Sequence, residues 1–269
     1  MEKVVVLARG LGTRMRKENE RVRLSEQQKR VAATGVKALM PIERPFLDYV
    51  LTALADAGYR RICLVVGPEH EELRDYYGRR LKYERLEVEF AVQEKPLGTA
   101  DAVAAAEEFA ARDPFLMVNS DNYYPVEALE AMKGLDGPGL PVFTREGMLA
   151  GSNIPEERLL KFAVVEVGDD GYMKRIIEKP PPEVIDALPD PVGVSMNCWR
   201  FDERIFPACR AISPSPRGEL EVTDAVQYAI DELRVKFRAV YFDAPVLDLS
   251  SREDVAGVTE RLAGKEVRL

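Results

Sequence analysis

The sequence has one histidine, His70, in 269 residues. Any nucleophile–histidine–acid triad would have to run through it. It sits in Gly67-Pro68-Glu69-His70-Glu71-Glu72, which predicts a helix start near Glu69 with His70 exposed in the first turn. Cysteine is nearly as scarce. Cys63, Cys198 and Cys209 are far apart and odd in number, which excludes a disulfide frame or a thiolate zinc site and predicts reduced core residues. Net positive charge is absent too. A formal charge of −8 gives no basic footprint for sequence-independent DNA or RNA binding, so any phosphate must be met by a local basic pocket. No apolar run reaches the roughly 18 residues of a membrane span. Strand-like sequence begins at Lys3, where a signal peptide would lie, so a cytoplasmic protein without a membrane partner is expected. There is no internal or hexapeptide repeat, and hence no expectation of an appended β-helix.

The first half alternates between apolar strands and helical patterns. Lys3–Ala8, Arg61–Val66, Leu86–Val92 and Phe115–Asn119 read as strands, with helices at Phe46–Ala57 and Thr99–Ala111 between them. Strands apolar on both faces and separated by helices imply a parallel sheet covered on both sides. The second half has shorter joins. Strands are expected at Leu140–Thr144, Phe162–Val167, Tyr172–Ile177, Val192–Phe201, Phe237–Phe242 and Pro245–Leu249, with a hairpin turn at Asp169-Asp170-Gly171. Pro180–Pro182 and Pro189–Pro191 read as loops, and helices are expected at Asp202–Ile212, Leu220–Leu233 and from about Arg252. The expectation is a single α/β domain, Rossmann-like and three-layered α/β/α, with a mixed, mainly parallel central sheet. Residues 1–135 would form a nucleotide half and 136–269 a substrate half.

Chemistry-bearing residues fall at the ends of these strands. The first strand runs into Arg9-Gly10-Leu11-Gly12-Thr13-Arg14, a loop whose glycines and bare N–H groups suit a polyphosphate. Asp121 follows the strand ending at Asn119; it suits Mg²⁺ in a shared crevice, or else caps the helix Val126–Met132. Gln93 can read a base edge, and Gly98 either admits a flat base or merely starts a helix capped by Thr99. Glu178-Lys179 suits a sugar and its phosphate, or is an edge-strand ion pair. Ser25-Glu26-Gln27-Gln28 is a capping-box pattern for a helix to about Thr34, stopped by Gly35. That segment is either a solvated surface helix or a lid bringing Arg21, Arg23, Lys29 or Arg30 to phosphates.

In order along the chain, these stretches resemble the sugar-1-phosphate nucleotidylyltransferases. Leu7-Ala8-Arg9-Gly10-Leu11-Gly12-Thr13-Arg14-Met15 matches the family's Leu-Ala-Gly-Gly-x-Gly-Thr-Arg-Leu, and Lys37 with Pro41 follows as the family pattern requires. Arg44–Leu51 matches the Lys-Pro-Met-Ile stretch, Gln93–Ala100 the base-reading segment and Glu178-Lys179-Pro180 the sugar-phosphate segment. Gly193–Asn197 resembles the sugar-side strand, and Gly218-Glu219-Leu220-Glu221-Val222-Thr223-Asp224 is close to Gly-Glu-Leu-Glu-Ile-Thr-Asp. Val246–Ser251 is similar to Trp-x-Asp-x-Gly-Thr, placing Asp248 as a second metal ligand beside Asp121. The chain departs from the pattern at Arg9, where the family has glycine, at Ser250, at Asn197, and in a longer insert before Lys37.

The resemblance implies Mg²⁺-dependent attack of a sugar 1-phosphate on the α-phosphorus of an NTP. Leu7, Ala8, Gly10, Gly12, Thr13, Gln93 and Gly98 would bind the nucleotide, and Arg14 and Lys37 would meet the phosphates. Asp121 and Asp248 would hold the metal, Lys179 would seat the sugar phosphate, and Glu178 and Ser195 would face the sugar. Gln93 favours UTP or dTTP, and glucose 1-phosphate is the default sugar; self-association as a homo-oligomer stays open. Two other readings remain: a catalytically weakened regulator damaged at Arg9, and a cytidylyltransferase for an alcohol phosphate caged by Tyr123, Tyr124 and Trp199.

Overall fold

The side chains of the first strand decide how the molecule is layered. In β1 (Lys3–Leu7), Val4 and Val6 enter one hydrophobic core, while Val5 and Leu7 enter the other. A strand apolar on both faces belongs in the middle of a covered parallel sheet. The computed structural model describes residues 1–159, 162–186 and 191–269. The other strands are β2 (Arg61–Val66), β3 (Glu87–Val92), β4 (Phe115–Asn119), β5 (Asn122–Tyr123), β6 (Gly139–Thr144), β7 (Val164–Val167) and β8 (Met173–Ile177). They continue with β9 (Gly193–Val194), β10 (Trp199–Phe201), β11 (Arg238–Phe242) and β12 (Leu247–Asp248).

The main sheet is mixed and runs β3-β2-β1-β4-β10-β6-β9-β7-β8, with β11 also beside β6. Pairing is parallel from β3 through β2 and β1 to β4, and again between β6 and β11. It is antiparallel at β10, β9, β7 and β8. A separate two-stranded ladder joins β12 to β5.

The first helices are α1 (Thr13–Arg16), α2 (Glu26–Thr34), α3 (Phe46–Asp56), α4 (Glu71–Asp75), α5 (Thr99–Ala105), α6 (Glu107–Ala110) and α7 (Val126–Gly134). After these come α8 (Arg145–Gly151), α9 (Glu156–Leu159), α10 (Pro182–Asp186), α11 (Ile205–Ala211), α12 (Val222–Asp231) and α13 (Asp254–Leu262). Helices α3, α7 and α13 cover one face, and α5, α11 and α12 the other, giving the expected α/β/α sandwich. Among the described residues no helix is long and apolar enough to cross a membrane.

Several local expectations are corrected. His70 is buried, not exposed: it precedes α4 and its Nδ1 accepts from the Gly67 N–H at 3.3 Å. Burial lowers its pKa, because a charged imidazole loses hydration there. The expected strand Val192–Phe201 is broken into β9 and β10 at Asn197, whose φ of 52° is left-handed. Asparagine tolerates that region better than most other non-glycine residues, which accounts for it where the resembling pattern has glycine. Pro180–Pro182 is not all loop, since Pro182 opens α10, as proline does at a first helical turn. The expected helix over Thr99–Ala111 is split at Ala106. Residues 189–190 of the second proline-rich loop lie outside the described residues. The three cysteines are buried and free, as expected.

The turn from β1 depends on Gly12, at φ 59°, packed against the end of α2. A Cβ on Gly12 would lie 2.2 Å from the Gly35 carbonyl oxygen, whereas one on Gly10 would meet only Lys37 Cε at 3.9 Å. Gly12→Ala is therefore expected to cost about 2 kcal/mol or more, from left-handed strain plus a backbone clash. Gly10→Ala should stay within about 0.5 kcal/mol. Urea unfolding midpoints at unchanged m-value check both.

Candidate active site

Parallel register gathers the site. Leu7 on β1 stands opposite Asn119 on β4, and the Ser120 N–H donates to the Leu7 carbonyl at 3.1 Å. Gln93 leaves β3 at the same edge, with its N–H on the Val66 carbonyl at 2.9 Å. Loops beyond these carboxyl ends open into one cleft of about 220 Å³, lined by Leu7, Gly10, Lys37, Gln93, Gly98 and Asp121. Ligands of open α/β sheets bind at such carboxyl ends.

Lys37 reaches the cleft through the α2 insert. Ser25 and Gln28 form the expected capping box, and Gly35 ends the helix in the left-handed region. Gly12 and Gly35 meet backbone to backbone, and Lys37 follows in a short 3₁₀ turn (Lys37–Leu39). Its Nζ forms an ion pair with Asp121. Asp121 therefore does not cap α7; Pro125 holds that position without a side-chain bond. The insert is fastened down by Arg16 to the Thr34 carbonyl at 2.7 Å and by Gln28 to the Pro41 carbonyl at 2.9 Å. Arg21, Arg23, Lys29 and Arg30 are exposed and do not line the cleft.

The β5–β12 ladder brings the second carboxylate. Asp248 pairs with Asn122, and the Leu249 N–H donates to the Asp121 carbonyl at 2.8 Å. Asp248 accepts from Asn122 Nδ2 and Ser250 Oγ, both at 3.0 Å, so Ser250 supports the carboxylate directly. Arg158 forks between Asp248 at 2.7 Å and Asp254 at 2.6 Å. Burial, then the charge of Asp121, raises the Asp248 pKa above the ordinary carboxylate range. The carboxylates of Asp121 and Asp248 are hard oxygen donors of the type that suits Mg²⁺.

The Gln93–Thr99 segment is tightly held. Gln93 Nε2 donates to the Gly98 carbonyl at 3.0 Å and to Asp101 Oδ2 at 2.8 Å. Both acceptors lack hydrogens, which fixes the amide orientation and leaves Oε1 without a protein donor among the described residues. Gly98 is required by packing: its φ is 123° and a Cβ would lie 2.4 Å from the Leu220 carbonyl oxygen. Thr99 does not cap α5. Its hydroxyl accepts from the Val222 N–H at 2.8 Å, joining α5 to the start of α12.

Glu178, Lys179 and Ser195 lie outside that lining but share its edge of the sheet. Val164 pairs with both Ile177 and Val194, so the next residues, Glu178 and Ser195, emerge level with each other. Ser195 keeps a buried hydroxyl without a partner among the described residues. Glu178 is exposed as a residue, yet lost hydration around its carboxyl, helped by the Glu221 charge, raises its pKa. Lys179 is held at φ 45°. Ala8 lies behind the glycine loop with its N–H on the Val65 carbonyl at 2.9 Å. Thr13 and Arg14 are exposed on α1 outside the cleft lining.

The proposed aromatic cage does not form: Trp199 and Tyr124 are buried in separate cores. Sequence reasoning missed Arg158 and Asp101. It also passed over Glu219, which lines the cleft and whose only signal was its place in the Gly-Glu-Leu-Glu stretch.

The fold is a three-layer α/β/α sandwich with a cleft at the carboxyl ends of its parallel strands. The chain belongs to the nucleotidyl transferase family, whose sequence model matches residues 3–244. It is 32% identical over 230 residues to a glucose-1-phosphate thymidylyltransferase of Streptomyces griseus, covering 85% of this chain and 57% of that protein. It thus spans under two thirds of that relative's length. It is 26% identical to the UTP–glucose-1-phosphate uridylyltransferase AglF of Haloferax volcanii, covering 96% of this chain and 95% of that protein. A solved UDP-glucose pyrophosphorylase complexed with UDP-glucose shares the fold at a TM-score of 0.75 and 19% identity, covering 99% of this chain and all of that one.

Removing the guanidinium of Arg158 strands Asp248 and Asp254, both buried. Arg158→Met is expected to cost about 3 kcal/mol at neutral pH. A carboxyl whose folded pKa is raised contributes stability below its unfolded pKa and loses it as pH rises through the folded one. The deficit should therefore shrink as pH falls toward the ordinary carboxylate range. Urea melts at a series of pH values check both.

Proposed function

We propose that this cleft transfers a nucleotidyl group from UTP or dTTP to a sugar 1-phosphate, with glucose 1-phosphate as the default acceptor, releasing pyrophosphate. The observation that carries the reading is the assembly of the glycine loop, the Lys37–Asp121 pair and Asp248 at one end of the sheet. A phosphate oxygen of the sugar attacks the α-phosphorus, a new P–O bond forms, and the bond to the bridging oxygen of pyrophosphate breaks. The nucleophile is already anionic, so no general base is required. That agrees with a sole histidine that is buried and accepts from a backbone N–H.

The demand is electrostatic: two polyanions must approach and charge must be stabilised as pyrophosphate leaves. Lys37 stands in the cleft to meet the α-phosphate, while Arg14 on α1 would turn in to the triphosphate beside the N–H groups of Gly10 to Thr13. Asp121 and Asp248 would hold Mg²⁺, which when bound supplies positive charge to phosphate oxygens. Lys179 would seat the sugar phosphate, with Glu178 and Ser195 toward the sugar; the unpartnered Ser195 hydroxyl supports that role.

Base choice follows from Gln93. Its free Oε1 accepts but cannot donate, because both amide hydrogens are engaged. An acceptor suits the imide N–H of uracil or thymine and faces a lone pair on the corresponding nitrogen of cytosine. The weakened-regulator reading loses its motive, because Arg9 turns its guanidinium onto Glu69 and the Gln93 carbonyl.

Pyrophosphate release with glucose 1-phosphate and each NTP is expected to be fastest with UTP or dTTP and to stop with EDTA. Asp121→Ala and Lys37→Ala should each lower kcat by about 100-fold or more while the melting temperature stays measurable. Turnover near the wild-type level in Asp121→Ala would remove the reading. Gln93→Leu, which deletes the acceptor, should reduce the preference for UTP over CTP by about tenfold in kcat/KM.

A further inference from the structure

We propose that Arg9 is a positioning residue for base discrimination, fastening the end of β3 to the end of β2 and to the phosphate loop so that Gln93 Oε1 is fixed in place. The inference rests on the nucleotidyl-transfer reading of the cleft. Arg9 stands where the resembling pattern has glycine, so its side chain is an addition that the fold must accommodate. Only 6% of that side chain is exposed. Nε and Nη2 each donate to one oxygen of Glu69 at 3.3 Å, a two-pronged contact with the segment after β2. Nη1 donates to the main-chain carbonyl of Gln93. One guanidinium thus spans three consecutive strand ends.

The surroundings are matched to it. A Cβ at Gly67 would lie 2.4 Å from Arg9 Nε and 2.4 Å from each Glu69 oxygen, so only glycine leaves room for the pair. Gln93 in turn has its N–H on Val66, its carbonyl on Arg9 and its amide nitrogen on Gly98 and Asp101. Every polar group of Gln93 except Oε1 is held by the protein, and Arg9 holds the one that links it to the phosphate loop. An acceptor fixed in this way discriminates between bases through the mismatch it imposes on the wrong one. Releasing the carbonyl lets the acceptor move and lowers that mismatch, while the phosphate cradle at Gly10 and Lys37 stays in place.

The test is steady-state kinetics with UTP and CTP on the full-length chain and its Arg9→Ala and Glu69→Gln variants, with melting temperature as a folding control. Arg9→Ala is expected to raise KM for UTP about tenfold and to cut the UTP-to-CTP ratio of kcat/KM at least about fivefold, with kcat at saturating UTP falling less than about threefold. Glu69→Gln, which keeps the shape but weakens the grip, should move the same quantities in the same direction by less. If Arg9→Ala does not fold, Glu69→Gln alone decides. An unchanged ratio in the folded variants overturns the proposal. A fall in kcat with KM and ratio unchanged also overturns it, by placing Arg9 on the transferring phosphate. If the wild type turns over no NTP, the nucleotidyl-transfer reading fails instead, and calorimetric UTP and CTP binding still reports whether the ratio depends on Arg9.

Discussion

The parallel pairing of β1 with β4 sets Leu7 beside Asn119, and the groups of the cleft take their places from that register. Both strands are buried on both faces, so a slip by one residue would exchange two cores at once, and the register is strongly enforced. The glycine loop and Asp121 then leave neighbouring strands at the same level. Everything else is attached to that pair: Lys37 through the contact of Gly12 with Gly35, and Asp248 through the short ladder to Asn122. The sheet fixes two loop origins, and local contacts carry the remaining groups to them.

The electrostatics of the cleft are those of paired charges in an acidic chain. Its charge of −8 is not reversed at the cleft. Instead cations are stored on carboxylates, Lys37 on Asp121 and Arg158 on Asp248 and Asp254. Such pairs are stabilised by little net energy when buried, because desolvation offsets their attraction.

Much of this was legible in the sequence where a motif is local. The capping box at Ser25 and Gln28 and the stop at Gly35 concern residues a few positions apart, and the helix forms over the expected span. β1, β2 and β4 were legible because apolar runs on both faces have few other uses, whereas β3 showed only alternation. What escaped depends on partners far along the chain. Arg158 lies 90 positions from Asp248, and no periodicity marks a guanidinium that answers a distant acid. Strand β5 is two residues, too short to carry a pattern, yet it joins Asp121 to the expected strand that carries Asp248. His70 was misjudged because its acidic neighbours resemble a solvated first turn, while the fold turns the ring inward over Gly67. Gly98 lines the cleft and starts α5, and its packing against the backbone of Leu220, far along the chain, gave no local signal.

The ladder between β5 and β12 also has a meaning in time. Synthesis proceeds from the N-terminus, and chain segments begin to pack as they emerge. The glycine loop, Lys37, Gln93 and Asp121 all precede β6, so the phosphate side of the cleft can assemble on the nascent chain. Asp248 arrives only on β12, after every strand of the main sheet has been made. A nascent chain would thus hold the glycine loop and Asp121 before it holds Asp248, and the β5–β12 ladder closes only after the strands of the main sheet have been made.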